Sequence, residues 1–181
     1  FQNHSLSPGS SIGTPKGTAS MGYRATRFNT DGFATAGHAY NTGDPAYYNN
    51  TLIGSCDFSI QGGSVDAAFI SITNFSIVPN NGNLTGEEYN IWAGDNVTKL
   101  GETIAQSEGY ITSTNANVNA DGIYYTDMGE ATYLSAFGDS GGPVYLTDSK
   151  KVIGIHKGST AFTSIFVKVD NIASKLNAHF N

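Results

Sequence analysis

A chain of 181 residues and 19.1 kDa has room for one domain, or two small lobes sharing an interface, around a sizeable core. Only 13% of its residues are charged, the formal net charge is −6 and no Lys/Arg cluster occurs, which removes the footprint of a nucleic-acid binder; no apolar run approaches the roughly 18 residues of a membrane span. The lone cysteine, Cys56, excludes an intramolecular disulfide and a multi-cysteine metal site, and no His/Asp/Glu cluster has metal-ligand spacing, so neither metal nor cofactor is expected.

In chain order, residues 1–19 are polar, carry Pro8 and Pro15, and read as an extended arm laid over a surface. The start Phe1-Gln2-Asn3-His4 lacks Met and a signal pattern and reads as a processed form. Short apolar runs bounded by Gly, Asn and Asp then predict strands at Met21–Phe28, Gly32–Ala36, Thr51–Ile60 and Val65–Ile72. Residues 79–87 are the most turn-rich stretch and the best linker. After it, strands are predicted near Asn96–Gly101, Gly109–Thr114, Gly122–Thr126, Pro143–Leu146, Lys151–His156 and Thr163–Val169. The division is thus an arm at 1–19, one β-unit at 20–85 and a second at 86–181. Evenly spaced short strands point to antiparallel barrels or a sandwich. The tail changes period: Ile172, Ala173, Leu176 and Phe180 recur at helical spacing behind Asp170, predicting a helix over 170–180.

The segment Gly138-Asp139-Ser140-Gly141-Gly142-Pro143 carries the chemistry. Serine is a weak nucleophile until a base takes its proton, and acyl transfer needs N–H donors facing the developing oxyanion. Glycines around Ser140 open backbone conformations closed to other residues and let a carbonyl approach the N–H groups of Gly138 and Ser140. For the base, only His38 among four histidines closes an apolar strand with a small-residue turn, Phe33-Ala34-Thr35-Ala36-Gly37-His38. For the orienting carboxylate, Asp66 lies inside Val65-Asp66-Ala67-Ala68-Phe69-Ile70, where a charge is costly without such a task; Asp57, between Cys56 and Phe58, is the rival.

The order His, Asp, Ser is that of chymotrypsin, the standard worked case of this mechanism. Thr35-Ala36-Gly37-His38 and Gly138–Pro143 resemble the histidine and serine signatures of chymotrypsin-like serine proteases, nearest to the streptogrisin and α-lytic branch, which Val97–Thr103 and Gly109–Val118 also resemble. The resemblance runs with gaps from about Gly17 to Phe180. It implies an all-β fold of two packed six-stranded antiparallel β-barrels with a C-terminal α-helix, and a secreted enzyme acting on polypeptide substrates. His38, Asp66 and Ser140 would be its triad, and Gly138 and Ser140 its oxyanion hole. Departures are Ala39, where the family usually has a disulfide-bonded cysteine, and the missing disulfide beside the specificity pocket. The resemblance also implies a buried ion pair for Asp139, with Lys99 where the branch has Arg; the Phe1 amine is the competitor.

Carried over to the pocket, the resemblance puts Leu134 at a base where basic-residue-specific enzymes have Asp. Val152-Ile153-Gly154-Ile155-His156-Lys157-Gly158-Ser159 resembles the wall strand of glutamyl endopeptidases, where the histidine binds the substrate carboxylate. His156, Ser159, Lys157 and Gly158, with Leu134 and Phe137, are therefore the expected substrate-binding residues and glutamate the expected residue before the cut. A wall of an apolar pocket is the other reading of His156. Strand alternation points Lys157 away from His156, and Phe137 departs from the serine of the glutamyl enzymes. A catalytically dead binding module on the same fold and an esterase are the rival classes; the latter fits poorly, since Gly-Asp-Ser-Gly-Gly is not a Gly-x-Ser-x-Gly elbow. The chain is expected to act as a monomer, without nucleic-acid or membrane partners.

Overall fold

A computed structural model describes residues 5–181. The first half runs through β1 (Ser5–Leu6), β2 (Ser11–Thr14), β3 (Gly17–Ser20), β4 (Tyr23–Arg27), β5 (Thr30–Thr35), β6 (Pro45–Tyr48), β7 (Thr51–Gly62), β8 (Val65–Ile72) and β9 (Val78–Pro79). Seven of these form one antiparallel sheet in the order β4-β5-β8-β7-β6-β2-β3, while β1 and β9 pair in parallel beside it. Strand β8 keeps its predicted bounds and is buried at every position, as a continuous apolar run at a sheet centre must be.

The second half contains β10 (Gly86–Glu87), β11 (Asn96–Leu100), β12 (Gln106–Ala120), β13 (Ile123–Ala131), β14 (Pro143–Leu146), β15 (Lys151–Ser159) and β16 (Ser164–Lys168). Antiparallel pairing runs β11 to β12, β13, β16, β15, β14 and back to β11, a closed ring of six strands, and β10 adds to β15 in parallel. The long β12–β13 hairpin turns at Asp121-Gly122, both at positive φ, as a two-residue hairpin loop of right-handed twist requires.

Two expectations are corrected. Residues 11–20 are not a surface arm: β2 and β3 belong to the first sheet, and Leu6, Ile12 and Ala19 are fully buried. The helix predicted over 170–180 is α1 (Val169–Leu176), followed by β17 (Ala178–Phe180), which pairs with β4 and brings the first sheet to eight strands. Asn177 adopts the left-handed conformation that ends helices, and Arg27 Nε donates to the Leu176 carbonyl at 2.8 Å. Phe180, read as a helical position, stacks on Tyr23 from the sheet. The second unit, expected to own everything from 86 to 181, thus returns its last strand to the first. Helix α1 buries Val169, Ile172, Ala173 and Leu176, and Val169, Ile172 and Leu176 enter a core that also holds Tyr23, Ala34 and Phe69 of the first half and Met128, Ile155 and Val167 of the second. That shared core fixes the two halves against each other along the cleft where the chemistry-bearing residues meet.

Candidate active site

His38 sits on a tight 3-10 turn, Gly37–Ala39, at the end of β5, and Asp66 near the start of β8. Because β5 and β8 are hydrogen-bonded neighbours, the turn is carried onto the carboxylate. Asp66 Oδ1 accepts the backbone N–H of His38 and Oδ2 lies against His38 Nδ1, both at 2.8 Å. Gly37 permits this approach: a Cβ there would stand 2.6 Å from the Ala67 nitrogen and 2.8 Å from Asp66 Oδ1. The Asp66 side chain is fully buried, whereas that of His38 is 34% exposed to the cleft. Burial opposes ionisation of Asp66, but the His38 hydrogen bond and charge, together with the Lys157 ammonium, outweigh it and hold the carboxyl below its ordinary value. The rival Asp57 accepts from Ser71 Oγ at 2.9 Å instead.

Ser140 lies between Gly138 (φ +99) and Gly141 (φ +92), conformations that side chains rarely adopt. The loop is tied down on every side. Asp139 N donates to Ala136 O, Gly141 N to His156 O and Gly142 N to Asp139 O, which leaves the N–H groups of Gly138 and Ser140 without an acceptor among the described residues. A residue that sequence reasoning missed, Ser20, crosses from the first sheet: its Oγ donates to Gly138 O and accepts from Glu102 N, and its own N–H donates to Ser140 O. Ser140 Oγ donates to the Lys157 carbonyl at 3.2 Å rather than to His38. Beneath it Asp139 and Lys99, both fully buried, pair at 2.8 Å, with Thr103, Ile104 and Ala136 N–H groups completing the carboxylate. Burial works against the Asp139 charge, but Lys99 and the backbone donors hold its carboxyl below the ordinary value. The competitor, the Phe1 amine, lies outside the described residues, as does His4.

His156 is 2% exposed on β15, and its Nδ1 stands 2.7 Å from the Tyr133 hydroxyl. Burial, aided by the positive charge of Lys99, pushes its pKa down to about 3, so the ring is neutral at physiological pH. In the tautomer whose Nδ1 accepts from the Tyr133 hydroxyl, the ring proton resides on Nε2. Close by, Ser164 Oγ donates to Tyr133 O and shares a 3.0 Å contact with Ser135 Oγ. Leu134 and Phe137 are largely exposed, and Ser159 is also exposed. Lys157, expected among the pocket residues, is not with His156: its ammonium reaches Asp66 on the other side of the strand.

A cleft of about 340 Å³ bordered by His38, Asp121, Lys157, Gly158 and Ser159 continues past His38 into a smaller depression of about 140 Å³ between Lys16, Ala39, Phe137 and Ser140. An extended chain laid along it would pass Ser140 and His38 at the junction. No metal-holding group of His, Cys, Asp and Glu exists among the described residues, and no helix there is long and apolar enough to cross a membrane.

This architecture, two β-units with a closing C-terminal helix, is the fold of the chymotrypsin-like serine proteases. Solved structures that share it across nearly the whole chain include Thermobifida fusca Protease A (TM-score 0.84, 23% identity, 97% of each chain covered) and Nocardiopsis protease (TM-score 0.85, 21% identity, 97% of this chain and 98% of that one). A third is a glutamic-acid-specific serine protease described as using a histidine triad in substrate binding (TM-score 0.82, 23% identity, 97% of this chain and 100% of that one). No protein-family model and no curated protein matches the sequence.

Proposed function

We propose that this chain is a secreted serine endopeptidase that hydrolyses peptide bonds through an acyl-enzyme on Ser140 and prefers glutamate before the scissile bond. The observation that carries the first part is the buried Asp66 held at 2.8 Å from His38 Nδ1 in the cleft that also contains Ser140. Asp66 fixes the tautomer that leaves His38 Nε2 free to accept a proton. On substrate entry the Ser140 hydroxyl swings from the Lys157 carbonyl toward His38, and the vacated carbonyl can accept a substrate N–H. Attack on the carbonyl carbon places the oxyanion before the unpartnered N–H groups of Gly138 and Ser140. His38 then gives its proton to the leaving amine, and water repeats the cycle to release the acid. Export fits an activity that would endanger the cell making it, and a monomer suffices because one chain carries the whole site.

The glutamate preference rests on His156. Tyr133 directs the neutral ring so that Nε2–H is a donor, and a carboxylate entering the pocket adds a charge that favours protonation of the ring. The Ser159 hydroxyl, on the border of the cleft, supplies a further donor, and the solved glutamic-acid-specific neighbour has the same fold. Labelling by an active-site fluorophosphonate tests the nucleophile: wild type should be modified at Ser140, and unlabelled folded protein refutes the reading. Cleavage of a peptide library then reads the preference. Cuts after Glu are expected; cuts confined to Phe, Tyr and Leu would leave the protease and remove the glutamate pocket.

A further inference from the structure

Lys157 contacts both ends of the proposed site. Its ammonium rests on Asp66 Oδ2, the same oxygen that faces His38 Nδ1, while its backbone carbonyl accepts the Ser140 hydroxyl. The side chain is 7% exposed and the ammonium lies 3.7 Å from the centre of the Tyr125 ring. A β-bulge delivers it there. The register of β15 on β16 shifts between His156 and Gly158, so Lys157 is the extra residue that the ladder leaves unpaired, and its side chain is aimed at the first sheet while His156 faces Tyr133.

We propose that Lys157 is a positioning residue that keeps a second cation on Asp66, so that His38 stays unprotonated, and usable as a base, to lower pH than a lone Asp–His pair permits. The inference rests on the reading of His38, Asp66 and Ser140 as a triad. Asp66 already receives two hydrogen bonds from His38, so Lys157 is not needed to satisfy it, and burying an ammonium costs more than burying an apolar or hydroxyl side chain of similar reach. What the ammonium adds is charge. A protonated His38 would share Oδ2 with a like charge, and like charges at such range disfavour protonation. The other titratable groups around the pair do not duplicate this. Tyr125 offers a ring face, Lys16 reaches the His38 carbonyl at 3.4 Å, His156 is neutral and turned to Tyr133, and Asp121 borders the open cleft. The same charge weakens stabilisation of the imidazolium formed during catalysis, so low-pH competence is gained against peak rate.

The test is the second-order rate constant for fluorophosphonate modification of Ser140 against pH, in wild type and in Lys157→Gln, Lys157→Met and Lys157→Arg, with folding followed by circular dichroism and thermal unfolding. Gln keeps a donor to Asp66, Met keeps neither donor nor charge, and Arg keeps both. Both neutral variants should move the acid limb upward by about one pH unit, a roughly tenfold loss of rate on the acidic side, with Arg leaving it within about 0.3 unit. Folded neutral variants with an unmoved or lowered acid limb overturn the proposal. Failure of the neutral variants to fold, whatever Arg does, assigns Lys157 to structure and overturns it as well. Absence of labelling in wild type at any pH refutes the nucleophile itself and this inference with it, whereas labelling with an unmoved limb refutes the role of Lys157 alone.

Discussion

Replacing Lys99 with Met removes the only cation among the described residues that touches Asp139, one residue before the nucleophile, while keeping most of the side-chain volume. Lys99 Nζ donates at 2.8 Å to Asp139 Oδ2 and at 2.8 Å to the Ile104 carbonyl, and both side chains of the ion pair are fully buried. Losing a hydrogen bond between buried charges costs about 1.5–3 kcal/mol and orphaning the Ile104 carbonyl about 1 more. Breaking a buried pair from one side typically costs about 3–5 kcal/mol. Three backbone N–H donors stay on Asp139, which puts the expected loss near the lower end, about 3 kcal/mol at pH 7. The pH dependence supplies a second check. In wild type the Asp139 carboxyl is held below its ordinary value, so its stabilisation is present above the unfolded-state value near 3.9 and is lost as pH falls through the depressed native one. Without Lys99, burial dominates and raises the carboxyl, so Lys99→Met should recover part of its deficit as pH drops from 7 toward 5. Urea unfolding at both pH values, in a Ser140→Ala background that prevents self-digestion, measures this. Lys99→Met/Asp139→Asn, which removes both charges, should regain about half the loss. A single variant within about 1 kcal/mol of wild type at pH 7, or a double variant no better than the single, would refute the account of this pair.

Two further substitutions probe the site directly. Gly37→Ala would drive a methyl into the Ala67 nitrogen, the Ile60 oxygen and Asp66 Oδ1, so displacement of His38 should cut kcat/KM by about 100-fold; steady-state kinetics that stay within a few-fold of wild type would contradict the tight packing of this turn. His156→Ala removes one donor to a bound carboxylate, and kcat/KM for a glutamyl peptide should fall about 10- to 150-fold while a phenylalanyl peptide changes little. Equal losses on the two peptides would make His156 a structural wall.

Strand β8 and the Gly138–Pro143 loop were legible in the sequence because their local signals needed no context. Val65–Ile72 is apolar on both faces, and the glycines beside Ser140 sit where positive φ is required. β2 and β3 were not, since Ser11–Thr14 and Gly17–Ser20 hold little beyond Ile12 and Ala19 to mark a strand; they are strands because Tyr47 on β6 and the Ser140 loop pair with them. At the C-terminus, apolar residues at helical spacing also suit a helix that stops and a strand that follows. Asn177, whose left-handed conformation separates the two, is a residue that neutral patterning passes over. Lys157 shows the same limit in another form. Its direction is set by the bulge between His156 and Gly158, which alternation does not foresee, and the carboxylate it meets lies 91 positions earlier in the chain.

The site also explains how this chain does without the disulfides that border the corresponding cleft in the family it resembles. Cys56 is free and buried, so cross-links near the active site must be made of hydrogen bonds and ion pairs. Three of them bridge segments that the chain order separates: Ser20 to the Gly138 carbonyl, Lys157 to Asp66, and Lys99 to Asp139. The first two join the two halves of the molecule, one on each side of the junction between His38 and Ser140, and the third stiffens the loop that carries the nucleophile. Each is buried and each involves a polar group that would be costly to leave unpaired, so sliding of one half against the other breaks at least one of them at a cost of about 1–3 kcal/mol. Covalent links resist separation of the halves in any register; these bonds hold only in the register that brings the Ser140 loop to the cleft beside His38, which ties the stability of the cleft to the geometry that the chemistry requires.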